Sequence, residues 1–199
     1  MFLAGALALA FAVGPAVAET AAAPVAVPDM AMGPADAKVT VVEYASYTCP
    51  HCAHFDADVM PKLKADYIDT GKIRFVYREV YFDKYGLWAA MVARCGGEMR
   101  YFPIQDMLYK TQAEWLKSGN DAGIADALRK IGLKAGIDKD ALAACMNDGK
   151  MAEAMVATYQ ANATKDGIDS TPSFVINGEK YSNMSYEDFA KILDAKLAE

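Results

Sequence analysis

Apolar positions along the chain change period several times, and each change marks an element. Lys38 to Ser46 is a β-branched, apolar run, the pattern of a strand buried on both faces of a sheet. Cys52, Phe55, Val59 and Leu63 then recur at helical spacing, with Pro61 predicting a kink and Gly71 an end. Ile73 to Phe82 returns to a strand pattern, so the three segments predict a right-handed βαβ unit.

From about Leu87 to Gly149 every signal is helical: Trp88 with Met91, Val92 and Cys95, then Tyr101 to Leu116, Ile124 to Ile131 and Asp140 to Met146. Met151 to Ala163 predicts a further helix. Thr171 to Gly178 reads as a short strand entering an Asn-Gly hairpin turn, with Glu179 to Ser182 as partner strand. Ser185 caps a last helix, with Glu187 and Asp188 in its first turn and Phe189, Ile192 and Leu193 on one face.

The N-terminus differs from the rest. Phe2 to Val17 is mostly apolar and ends in Ala16-Val17-Ala18 before Glu19, the pattern of a signal peptide cleaved after Ala18, although no Lys or Arg precedes the apolar run. It is shorter than the ~20 residues of a membrane span and is broken by Gly14-Pro15, which makes a retained anchor the lesser reading. Residues 19–36, rich in Ala and Pro without a period, read as a flexible leader, and the folded unit is expected to begin near Ala35. Export is expected to place the four cysteines in an oxidising compartment, where disulfides persist. The net charge of −6, with 20 scattered basic residues, argues against a nucleic-acid footprint.

Cys49-Pro50-His51-Cys52 lies between the first strand and its helix. A dithiol two residues apart at a helix start can cycle between thiols and disulfide with little backbone movement, and the free N–H groups and dipole there favour a thiolate. Half of a structural zinc site is the alternative, but no second CxxC or paired His motif follows. Cys49 is the candidate nucleophile and Cys52 the buried resolving thiol. His51, between them, can add positive charge beside the sulfur or simply face solvent as a turn residue. His54 reads as an exposed helix position. Glu43, an acid within an apolar strand, would be costly to bury without a use; it can exchange the Cys52 proton, or be a satisfied or edge-exposed carboxyl. If Cys49 pairs with Cys52, Cys95 and Cys145 remain for a structural disulfide, with two free thiols or a second redox pair as alternatives. Neither a metal nor another cofactor is called for.

The CPHC motif, Glu43 six residues before it, Thr171-Pro172 before a short strand and hairpin, and a helical block between the two halves resemble the bacterial periplasmic DsbA family over residues 37 to 199. The resemblance implies an α/β thioredoxin fold, residues 37–85 and 150–199, interrupted by an inserted all-helical domain, residues 86–149. It also implies a monomeric thiol:disulfide oxidase that donates disulfides to reduced, unfolded exported proteins and is reoxidised by a membrane quinone-linked partner of DsbB type. Thr171-Pro172 matches the family's cis-proline loop, which binds substrate beside the disulfide. Thr171 replaces the Val of the best-known oxidase and is more like the isomerase branch, so an isomerase or reductase kept reduced is the nearest rival. A copper-binding module using Cys49, Cys52, His51 and His54 is a rival of another class, and a chaperone-like binding protein with an idle CxxC another.

Overall fold

The computed structural model describes residues 25–199. The signal-peptide stretch and its expected cleavage after Ala18 lie outside these residues. Among the described residues, five strands form one mixed sheet in the order β1-β3-β2-β4-β5. β2 (Val39–Ala45) occupies its centre and runs parallel to β3 (Ile73–Glu79), in register from Val39 opposite Ile73 to Ala45 opposite Glu79. Their β-branched and aromatic side chains are covered on both faces, which is what a parallel pair requires.

The crossover between them is broken where the sequence places a proline. α1 (Pro50–Asp58) ends at Val59, and α2 (Met60–Leu63) restarts with Pro61 in its first turn, where a missing N–H costs nothing. A single π-helical turn, Lys64–Ile68, follows, and Gly71, at φ +73°, turns the chain into β3.

β4 (Ser173–Ile176) pairs antiparallel with the other side of β2, and β5 (Glu179–Ser182) closes the hairpin. Asn177 (φ +46°) and Gly178 (φ +89°) form the two-residue turn, both left-handed as the twist of a tight hairpin demands. α9 (Tyr186–Ala198), capped by the Ser185 hydroxyl, lays Phe189 against Phe55 of α1 and Phe174 of β4.

The stretch expected to be a loose leader contains an ordered strand. β1 (Met30–Met32) pairs antiparallel with the outer edge of β3, Met30 opposite Tyr77. Arg78 forks onto both oxygens of Asp29, and Arg94 Nη1 donates to the Pro28 carbonyl at 3.0 Å. Three residues are too few to display a period, so this edge was invisible to pattern reading.

Between β3 and α8 (Gly149–Lys165) the chain is helical: α3 (Lys84–Cys95), α4 (Glu98–Lys110), α5 (Gln112–Leu116), α6 (Asp121–Lys134) and α7 (Lys139–Met146). α3 is the hub, burying Ala89 through Ala93. Its last residue, Cys95, is disulfide-bonded to Cys145 of α7, with Cα atoms 5.9 Å apart. α6 meets α7 closely: a Cβ on Gly132 would come within 2.8 Å of Leu142. The single helix expected from Tyr101 to Leu116 is two. Thr111 leaves helical geometry and its hydroxyl donates back to the Met107 carbonyl at 2.7 Å, a local competition for backbone groups that β-branched hydroxyl residues favour. Among the described residues no helix is long and apolar enough to cross a membrane.

Candidate active site

The dithiol lies where β2 ends and α1 begins. Cys49 is the N-cap residue of α1 in extended geometry, and Pro50 supplies the first helical position. Cys49 and Cys52 are both thiols in this structure, yet their settings differ. Cys49 is 9% exposed and Cys52 is fully buried.

That difference sets their acidities apart. The Cys49 thiol is lowered to about 5, first by hydrogen bonding from Cys52, against opposing burial, and then by the Thr171 side chain and the backbone N–H groups of Cys52 and His51. Several donors converging on one sulfur at a helix start stabilise its thiolate. Burial pushes Cys52 far the other way, helped by its bond to Cys49 and by the charge of Glu43. One thiol is therefore ionised at neutral pH and the other protonated.

Glu43, in the middle of β2, is 2% exposed, and burial raises its carboxyl well above the usual range. Asp56, one turn beyond Cys52 on α1, adds to that rise and is itself lifted to about 6 by burial and by Asp106. Asp56 lines a cleft between α1 and α4 with Asp106, Tyr109 and Lys110.

Thr171-Pro172 is a cis peptide bond, and the Thr171 carbonyl lies 3.6 Å from the Cys49 sulfur. His51 is exposed on the first turn of α1 and meets His54 edge-on, ring centroids 6.5 Å apart. The structure thus brings Cys49, Cys52, Thr171 and Pro172 together, sets Glu43 near enough for its charge to act on Cys52, and leaves the Cys95–Cys145 disulfide in the helical insertion. Among the described residues no group of three or more His, Cys, Asp or Glu is arranged to hold a metal ion.

Sequence reading missed the polar floor under the dithiol. The hydroxyls of Tyr77 and Tyr109 are 2.6 Å apart, and Tyr109 donates on to the Ser46 carbonyl. Tyr47 donates to Tyr101, whose hydroxyl meets Glu79 at 2.7 Å, and Arg94 forms a buried ion pair with the same carboxylate. These residues come from β3, α3, α4 and the segment between β2 and α1, and only their alternation with core positions hints at burial.

A family model described as Thioredoxin matches residues 26–195. A Rickettsia bellii protein named "Putative protein-disulfide oxidoreductase" is 35% identical over 172 residues, covering 86% of this chain and 65% of its own length. The chain therefore spans just under two thirds of that relative. Among solved structures, Wolbachia pipientis alpha-DsbA1 superposes with a TM-score of 0.78 at 28% identity, covering 88% of this chain and 94% of that one. Bacillus subtilis BdbD in its oxidised form shares the fold, with a TM-score of 0.76 at 22% identity and coverage of 86% and 94%. Because the family match runs from β1 through the dithiol helix, the helical insertion and the cis-proline loop into α9, the chain belongs to the thioredoxin family, within its DsbA-like group.

Proposed function

We propose that this chain is an exported thiol:disulfide oxidoreductase that introduces disulfide bonds into secreted or periplasmic proteins through Cys49 and Cys52. The observation that carries the reading is the split between an acidic Cys49, at about 5, and a buried Cys52 held protonated. A stabilised thiolate stabilises the reduced enzyme, so its disulfide becomes a stronger oxidant, by about 30 mV for each tenfold change in equilibrium.

In the oxidised form a client thiolate attacks the Cys49 sulfur. The Cys49–Cys52 bond breaks, a client–Cys49 disulfide forms, and Cys52 leaves and takes up a proton, with Glu43, the acid whose charge acts on Cys52, to supply it. A second client thiolate then attacks the client sulfur of that bond, and Cys49 departs as a thiolate. Two electrons have passed from client to enzyme. The Thr171-Pro172 loop, beside the sulfur, is the segment against which an extended client chain would lie, with His51 exposed at the rim. Reoxidation falls to a membrane partner of DsbB type that passes the electrons to a quinone.

Thr171 supports a second reading, in which the enzyme is kept reduced as an isomerase or reductase. Equilibration with defined glutathione mixtures separates the two. A constant as oxidising as the acidity of Cys49 implies supports the oxidase, and one as reducing as an ordinary dithiol's removes it.

A further inference from the structure

The four residues that lead into α1 are gripped by side chains of the helical insertion and of the cap that opens it. Tyr109 donates to the Ser46 carbonyl at 3.3 Å, and Asp83, the N-cap of α3, accepts from the Thr48 hydroxyl at 2.8 Å. The third grip is of another kind. Gln112 Nε2 donates to the Tyr47 carbonyl at 2.8 Å and to the Cys49 carbonyl at 3.0 Å. The Cys49 oxygen also accepts the first N–H of the helix, from Ala53 at 3.2 Å. Both its lone pairs are then engaged.

Chemistry fixes the orientation of this amide. An NH2 group has two protons, and here each finds an acceptor; a flipped amide would set its oxygen against two carbonyl oxygens. A carboxylate could not donate at all. Gln112 reaches the loop because the helix breaks at Thr111, so α5 begins with it.

We infer that Gln112 is a positioning residue of the dithiol: through the Tyr47 and Cys49 carbonyls it holds the Cys49 sulfur over the start of α1, so that the helical insertion tunes the redox equilibrium of the site. The inference rests on Cys49 being the attacked sulfur. Two effects act in the same direction. The hold keeps Cys49 in its extended N-cap geometry (φ −82°, ψ 119°) at the positive end of α1, where the backbone of Cys52 and His51 favours its thiolate. Donation to the carbonyl also draws electron density away from an oxygen that would otherwise oppose a neighbouring thiolate.

The test uses full-length reduced protein with Gln112→Leu, which removes both donors, and Gln112→Asn, which is one methylene too short to span both carbonyls. Thiolate ultraviolet absorbance against pH gives the acidity of Cys49, and glutathione mixtures give the equilibrium constant. For Gln112→Leu the thiol should titrate about half a unit to one unit higher, with the glutathione constant moving about 3- to 10-fold toward the enzyme disulfide. Gln112→Asn should fall between it and wild type. A folded Gln112→Leu protein with wild-type acidity and constant would overturn the inference, leaving Gln112 a packing residue. Should Gln112→Leu not fold, Gln112→Asn decides on the same readings. An unmodified protein in which Cys49 titrates like an ordinary cysteine would instead sink the functional reading, and the two failures are therefore distinguishable.

Discussion

Cys49 and Thr171, 122 residues apart in the chain, meet with sulfur and carbonyl oxygen separated by 3.6 Å. A loop from the second half of the fold thereby completes a site begun in the first. The side chain of Thr171 is also among the groups that lower both cysteine thiols. Thr171→Val should raise the pKa of Cys49 and make the enzyme less oxidising, by no more than the ~1 to 2 kcal/mol of one charge-assisted bond. Titration and glutathione equilibration of the variant check this, and wild-type values would show that the hydroxyl does not act on the redox pair.

The two sulfurs should separate by function when each is replaced. With Cys52→Ser, Cys49 can form mixed disulfides that nothing resolves, so client adducts should accumulate on non-reducing gels. Cys49→Ser should trap none. Equal trapping by both variants would reverse or remove the assignment.

Acidity makes a pH window. Cys49 titrates at about 5 in the fold, below the ordinary cysteine value near 8.5 of an unfolded chain. Its contribution to the stability of the reduced form is therefore complete above the unfolded value and is lost as pH falls toward 5. Cys52, shifted the opposite way, stays protonated through that window, and only above the ordinary thiol value does it act, lowering stability as pH rises. Reduced minus oxidised stability, from paired denaturant titrations, should rise from pH 5 to about 8 and decline again above the ordinary thiol value. A flat profile would contradict the acidic thiolate.

Glu43 carries the opposite linkage. A carboxyl raised by burial adds stability only where it is protonated, and that contribution is lost as pH climbs through its folded value. Glu43→Gln should match wild type at low pH and be more stable at high pH, by about 1 to 3 kcal/mol. Turnover should nonetheless fall, because the acid beside Cys52 is gone. Unchanged turnover across pH would leave Glu43 without a role in proton transfer.

The Cys95–Cys145 bond closes a loop of 50 residues. Chain entropy puts its contribution at roughly 4 kcal/mol before compensating effects. The Cys95→Ala/Cys145→Ala double variant should unfold at lower denaturant while keeping near-normal oxidase activity. Lost activity in a folded variant would give this bond a part in the chemistry.

The sequence made the central strand pair, the dithiol helix and the hairpin legible because each is a local pattern with a physical cause. A strand buried on both faces leaves a continuous apolar run, CxxC marks its exit, and Asn-Gly marks the turn. Glu43 stood out for the same reason, as a charge where none is cheap. What stayed hidden depends on partners distant in sequence. Met30–Met32 is a strand only because β3 offers it an open edge. The break at Thr111, and the tyrosine hydroxyls meeting under Cys52, follow from packing between elements that no window of sequence contains.

Asp29 and the Pro28 carbonyl are held by Arg78 and Arg94, and Arg94 also grips Glu79. The segment ahead of β1 is thus a fastening across the seam between sheet and insertion. Clipping the chain just before Met30 by limited proteolysis would strip both arginines of a partner at once while leaving Cys49, Cys52 and Thr171 untouched. Such a trimmed protein would keep its redox chemistry and lose rigidity first along the outer edge of the sheet, so an affinity tag joined directly at residue 30 would cost stability that the same tag at the other terminus would not.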